Sequence, residues 1–109
     1  MLRLGMAVLV LAVTPALAQQ TPAQVQGQYV QAVVAAKACK VRPLSDSDHD
    51  KIVGLAMRAR GGDLQVGEQM RIDNDARGQM ESRISSLGCS DSQVQRSIAF
   101  FQSQIAPHL

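Results

Sequence analysis

Apolar residues recur along most of this chain at steps of three and four, the spacing that gathers side chains on one face of an α-helix. Nowhere do they alternate between turn signals as a strand pair would. The first stretch opens on Thr21-Pro22-Ala23-Gln24, which combines a capping hydroxyl, a proline at the first helical position and a glutamine three residues after the cap. Val25, Tyr29, Ala32, Ala36 and Cys39 then make one stripe, predicting a helix over 22–39. Val30 and Val34 point away from that stripe. A helix apolar nearly all round either has neighbours on several sides or offers part of itself as a contact surface.

Pro43 breaks the pattern, and Ser45 caps a second helix predicted over 46–60. Asp46, Asp48 and Asp50 crowd its first turn and Arg58 and Arg60 its last, each complementing the helix dipole. Ile52, Leu55, Ala56 and Ala59 form its inner face, and Gly61-Gly62 end it. A third helix is expected over 64–87 on a broad face of Ile72, Ala76, Met80, Ile84 and Leu87, with Gly67 and Gly78 as places where it could break and Gly88 as its stop. Ser90 with Gln93 reads as the next capping box. Val94, Ile98, Phe101 and Ile105 then give the cleanest amphipathic stripe of the chain, a fourth helix over 91–106 closed by Pro107.

The amino end departs from this pattern. Arg3, an apolar run from Leu4 to Val13, Pro15 and the small residues Ala16 and Ala18 have the layout of a secretory signal peptide over 1–18, cut before Gln19. The run is about half the ~20 residues that span a bilayer, so no membrane span is expected after cleavage. The rest, 19–109, reads as a single all-α domain, exported to the periplasm or secreted. Leader removal also changes the composition: the 46% hydrophobic content falls, and the net charge of +2 drops by one with the loss of Arg3. A balance so near neutrality, with basic residues dispersed, makes no footprint for nucleic acid.

Export changes the meaning of the two cysteines. In an oxidising compartment Cys39 and Cys89 are expected to pair, and with aromatics at only 3% a small domain needs such a staple. In an up-down bundle the ends of the first and third helices lie at the same end, where these cysteines fall. The fold class is therefore a small four-helix up-down bundle stapled by one disulfide.

Candidate chemistry is sparse. Asp46-Ser47-Asp48-His49-Asp50 resembles the start of a calcium loop but has Lys51 and Met57 where the loop needs Gly and Glu, so dipole complementation explains it. His49 and His108 have no nucleophile nearby in sequence and read as surface imidazoles, while Met57, Met70 and Met80 at helical spacing read as core filler. No catalytic residue, metal site or cofactor is expected. Two features stand out. Asp73 and Arg77 form an acid-first pair four residues apart within an apolar arc that holds Val66, Met70, Met80 and Ile84, a candidate polar groove for a small ligand. Phe100, turned away from its neighbour Phe101, would form a candidate interaction surface with Val30 and Val34 if it does not pack on a flank. The expectation is a small exported protein that acts by binding, as a protein-interaction, chaperone-like or envelope accessory module with a protein partner or a second copy. The alternative is a small-ligand or metal carrier using Asp73 and Arg77.

Overall fold

A computed structural model describes residues 20–109, so the expected leader over 1–18 lies outside the described residues. Four α-helices and no strand occur among them: α1 Pro22–Ala38, α2 Asp46–Arg60, α3 Val66–Leu87 and α4 Ser92–Phe100. The path of α4 continues through a π-turn, Phe101–Ile105, and a short 3-10 turn, Ala106–His108.

The helix starts follow local chemistry. Thr21 and Gln24 form a reciprocal capping box on α1, as do Ser45 and Asp48 on α2. The start of α4 lies one residue away from expectation. Asp91, not Ser90, is its cap, accepting hydrogen bonds from the backbone N–H groups of Gln93 and Val94, because a carboxylate also gains from the helix dipole. That carboxylate accepts a 2.7 Å hydrogen bond from Arg83 Nε of α3 as well, which fixes the α3–α4 corner. Gly61 at φ 67° and Gly88 at φ 84° end α2 and α3 in backbone conformations that favour glycine.

α3 begins at Val66 rather than 64, behind Gln65, whose side chain makes no capping bond. It then runs unbroken through Gly67 and Gly78. Neither glycine has a heavy atom near the position a Cβ would take, so each costs about 1 kcal/mol of helix propensity without forcing a kink.

Contacts along the helices set their directions. Gln26 meets Asp73, Gln31 meets Gln79 and Cys39 is bonded to Cys89, so α1 and α3 run the same way. α2 returns against α1, with Arg60 reaching Gln26, and so does α4, with Val94 packed near Ala35 and Phe100 against Tyr29. α1 is the common partner. One apolar cluster joins its Tyr29, Ala32 and Ala36 to Ile52 and Ala56 of α2 and to Phe101 and Ile105, and a second joins its Ala35 to Met80, Val94 and Ile98. The stripe Val94, Ile98, Phe101 and Ile105 is buried throughout. The π-turn donates the Ala106 N–H back to Phe101 and keeps both Phe101 and Ile105 fully buried.

Several expected core positions are not in the core. Met57 and Met70 are exposed while Met80 alone of the three is buried, and Leu87 and Ala59 at the helix ends face outward. Leu87 and Ala59 lie at helix ends, outside the space between α2 and α3, whereas Met57 borders it. α2 and α3 pack on α1 and hardly on each other, so the flanks they would have turned together stay open.

The disulfide joins Cys39 and Cys89 across a sequence separation of 50, with Cα atoms 5.9 Å apart. Closing a loop of that length stabilises the fold by about 4 kcal/mol through the unfolded chain. Replacing both cysteines by serine should therefore lower the melting temperature by on the order of 20 °C, read by circular dichroism against the oxidised protein. A separate acid dependence follows from the caps. The Arg83 guanidinium, with the Gln93 and Val94 N–H groups, holds the Asp91 carboxyl below the usual carboxylate range, and the Ser45 backbone N–H does the same for Asp48. A depressed folded pKa contributes stability that is present above the unfolded value of about 4 and is lost as pH falls through the folded value. Urea midpoints should therefore drop below about pH 4, and Asp91→Asn should flatten part of that limb.

Candidate functional site

Because α2 and α3 stand apart on α1, a groove of about 620 Å³ opens between them with α1 as its floor. Its floor is the α1 stripe Gln26, Val30, Val33 and Lys37, at steps of four, three and four, flanked by Tyr29 and Val34. One wall comes from α2, with Ile52, Val53, Ala56 and Met57 between His49 and Arg60. The other comes from α3, with Gln69, Asp73, Arg77 and Glu81, one residue from each turn. The groove is thus apolar along α1 and α2 and charged with alternating sign along α3.

Burial and bonding differ from end to end. At the end where α1 starts, Gln26 is a buried polar side chain with both halves of its amide satisfied. Its Oε1 accepts from Arg60 Nη1 at 2.6 Å and its Nε2 donates to Asp73 Oδ1 at 2.9 Å. Arg60 Nε donates to the Gly62 carbonyl, which anchors the chain leaving α2. This bridge is the polar link between the two groove walls. In the middle, burial pushes the Tyr29 hydroxyl pKa up against an opposing effect of Arg58, which keeps the phenol neutral over the ordinary pH range. At the far end Lys37, His49 and Glu81 face the groove with no ion partner; the ion pair found among the described residues is Arg83–Asp91, at another corner.

Of the residues predicted for the interaction surface and the polar groove, Val30, Val34, Asp73 and Arg77 line this groove. Val30 and Val34 line it, so the part of α1 turned away from the first stripe is the groove floor. Phe100 does not join them. It is half-buried, with its ring edge-on to Tyr29 at a centroid distance of 5.2 Å, and packs against the core cluster of α1 and α2. Asp73 and Arg77 both reach the groove, yet they do not form the expected ion pair. Asp73 is taken by Gln26, and Arg77 Nη1 donates at 3.2 Å to Asn74 Oδ1 on its own helix, since across-helix and neighbouring amides offer better-placed partners than the i, i+4 spacing. Among the described residues no group of three His, Cys, Asp or Glu side chains is placed to hold a metal ion.

The residues missed from the sequence are those of the α2 wall. Val53 and Met57 lie four residues apart on the side of α2 away from Leu55, a short second stripe visible beside the main one. The five large hydrophobic side chains exposed among the described residues, Val53, Met57, Val66, Met70 and Leu87, all lie on the two helices that border the groove, and Val53 and Met57, at 55% and 53% exposure, line it.

Gln26→Ala removes the bridge and leaves Arg60 and Asp73 facing a void. It should destabilise the protein by about 1–3 kcal/mol in urea unfolding, more than Gln31→Ala, whose partner Gln79 is exposed.

Among the described residues no helix is long and apolar enough to cross a membrane. Comparison with protein-family models, with curated proteins and with solved structures finds no match to this chain, so the groove itself is the guide to what the protein does.

Proposed function

We propose that this is an exported binding protein whose groove takes one amphipathic helix, an interaction or chaperone-like module rather than an enzyme. The observation that carries the reading is the separation of α2 and α3 on α1, which leaves a slot shaped for a further helix. From Gln26 to Ala38 the floor runs about 18 Å at 1.5 Å per residue, or some three turns of an inserted helix. Valines, Ile52 and Met57 would meet the apolar side of that helix at the i, i+3, i+4 and i+7 positions used in helix-in-groove recognition. Methionine suits a surface that must fit sequences of different shape. Charges of alternating sign at Asp73, Arg77 and Glu81 along one rim would fix direction and register, as edge charges do in helical bundles.

Export is supported by the signal-like layout of residues 1–18 and by the disulfide, which suits an oxidising compartment. The carrier reading is less favoured. A single anionic or cationic head group would be served by charges of one sign at one end, whereas here both signs are spread along the α3 wall.

The test is fluorescence anisotropy with a labelled fifteen-residue model peptide, helical, with leucines at i, i+3, i+4 and i+7. The native protein should bind it saturably. Val53→Glu with Met57→Glu, both at exposed positions and so compatible with folding, should weaken binding by at least about tenfold. Binding unchanged by the double variant would overturn the groove assignment. Stoichiometric binding of oleate without binding of the peptide would replace the helix reading by a carrier of small amphiphiles.

A further inference from the structure

The groove wall of α3, with Asp73, Arg77 and Glu81, is continued toward the helix start by Val66 and Met70, which lie outside the groove lining, into one amphipathic stripe. Val66, Met70, Asp73, Arg77 and Glu81 recur at steps of four, three, four and four, with the first two strongly exposed. Asp73 and Arg77 are opposite in sign and form no ion pair among the described residues, Asp73 Oδ1 accepting from Gln26 and Arg77 donating to Asn74. Under a two-fold axis perpendicular to α3 that passes beside it, at the height midway between Asp73 and Arg77, Asp73 of one chain falls opposite Arg77 of the other, and the reverse pair follows by symmetry. The geometry points to a second copy of this chain as an occupant of the groove, with the two α3 helices antiparallel and Asp73 and Arg77 paired reciprocally across the axis.

The heights of the helices support that register. Within one chain, Gln26 with Asp73 and Gln31 with Gln79 put residue 80 of α3 level with Val33 of α1. Arg60 with Gln26 puts Val33 level with Val53 of α2. In the antiparallel pairing, Met70 of the second copy comes to the height of residue 80, and so to the valines of the floor and to Val53. An exposed methionine on each chain then covers the apolar middle of the other's groove, and Val66 comes to the height of Ile84. Charge and apolar complementarity thus coincide in one register.

This inference rests on the reading of the groove as a helix site and names one helix that fills it. It also makes self-association compete with a client helix. Sedimentation velocity over a wide range of protein concentration should show a reversible monomer–dimer equilibrium for the native chain. Asp73→Arg and Arg77→Asp each set like charges face to face twice, and each should weaken the dimer by at least about tenfold. An equimolar mixture of the two variants restores both opposite-sign pairs and should regain a heterodimer of near-native strength, an outcome that a folding defect in either variant would not give. A native chain that stays monomeric at all concentrations, single reversals that associate as the native chain does, or a mixture that fails to associate would each overturn the proposal. If the monomer still binds the leucine peptide, only the dimer falls; if neither association occurs, the helix-site reading falls with it.

Discussion

Ala32, Ala35 and Ala36 are fully buried in the C-terminal half of α1, so the helix that the other helices pack against contributes almost no side-chain volume there. Burial of apolar surface drives the fold, and interiors are close-packed, so the surrounding helices must come near and supply the bulk. α4 and its π-turn do so with Val94, Ile98, Phe101 and Ile105, α2 with Ile52, and α3 with Met80. Gly27 and Ala76 keep the α1–α3 approach equally lean, since a Cβ on Gly27 would lie 4.0 Å from that of Ala76. The disulfide then ties α1 to the end of α3, and Gln26 ties α1 to both α2 and α3 at the opposite end. Three helices held to one strut need not hold one another. The groove is the space this leaves.

Much of that architecture is legible in the residues. Thr21-Pro22 and Ser45 set helix starts, Gly61 and Gly88 set stops, and the stripe from Val94 to Ile105 announces its buried face because one apolar arc is set against polar neighbours. The pairing of Cys39 with Cys89 follows from an even count and compatible ends. What misleads is pattern without a neighbour. Met57 and Met70 fit a helical stripe as well as Met80 does, and periodicity alone does not say that a stripe lacks a facing helix. Asp73 and Arg77 look like a pair because the spacing is right, whereas the partner of Asp73 is 47 residues away on another helix. The start of α4 shifts by one residue because Ser90 and Asp91 can both cap, and the Asp91 carboxylate gains both from the helix dipole and from the guanidinium of Arg83.

The α1 floor was visible but ambiguous. A helix with valines on two sides of its main stripe has either a surrounded or an exposed second face, and α1 has both: α2, α3 and α4 around it, and Val30, Val33 and Val34 open between two of them. The polar spot and the apolar surface that the sequence suggests as rival sites are, apart from Phe100, one wall and the floor of a single cleft. A binding role through that cleft needs no catalytic group and is compatible with a core thin in aromatics. It asks only that α2 and α3 stay apart when empty and gain a common neighbour when filled.

Methyl NMR of the oxidised protein, with an amphipathic helical peptide added, tests that claim most directly. Shifts concentrated on Val30, Val33, Val34 and Val53, with Val94 and Ile98 unmoved in their closed cluster, are the result the groove predicts. Shifts centred on Val94 and Ile98, or spread evenly over the methyls, would contradict it.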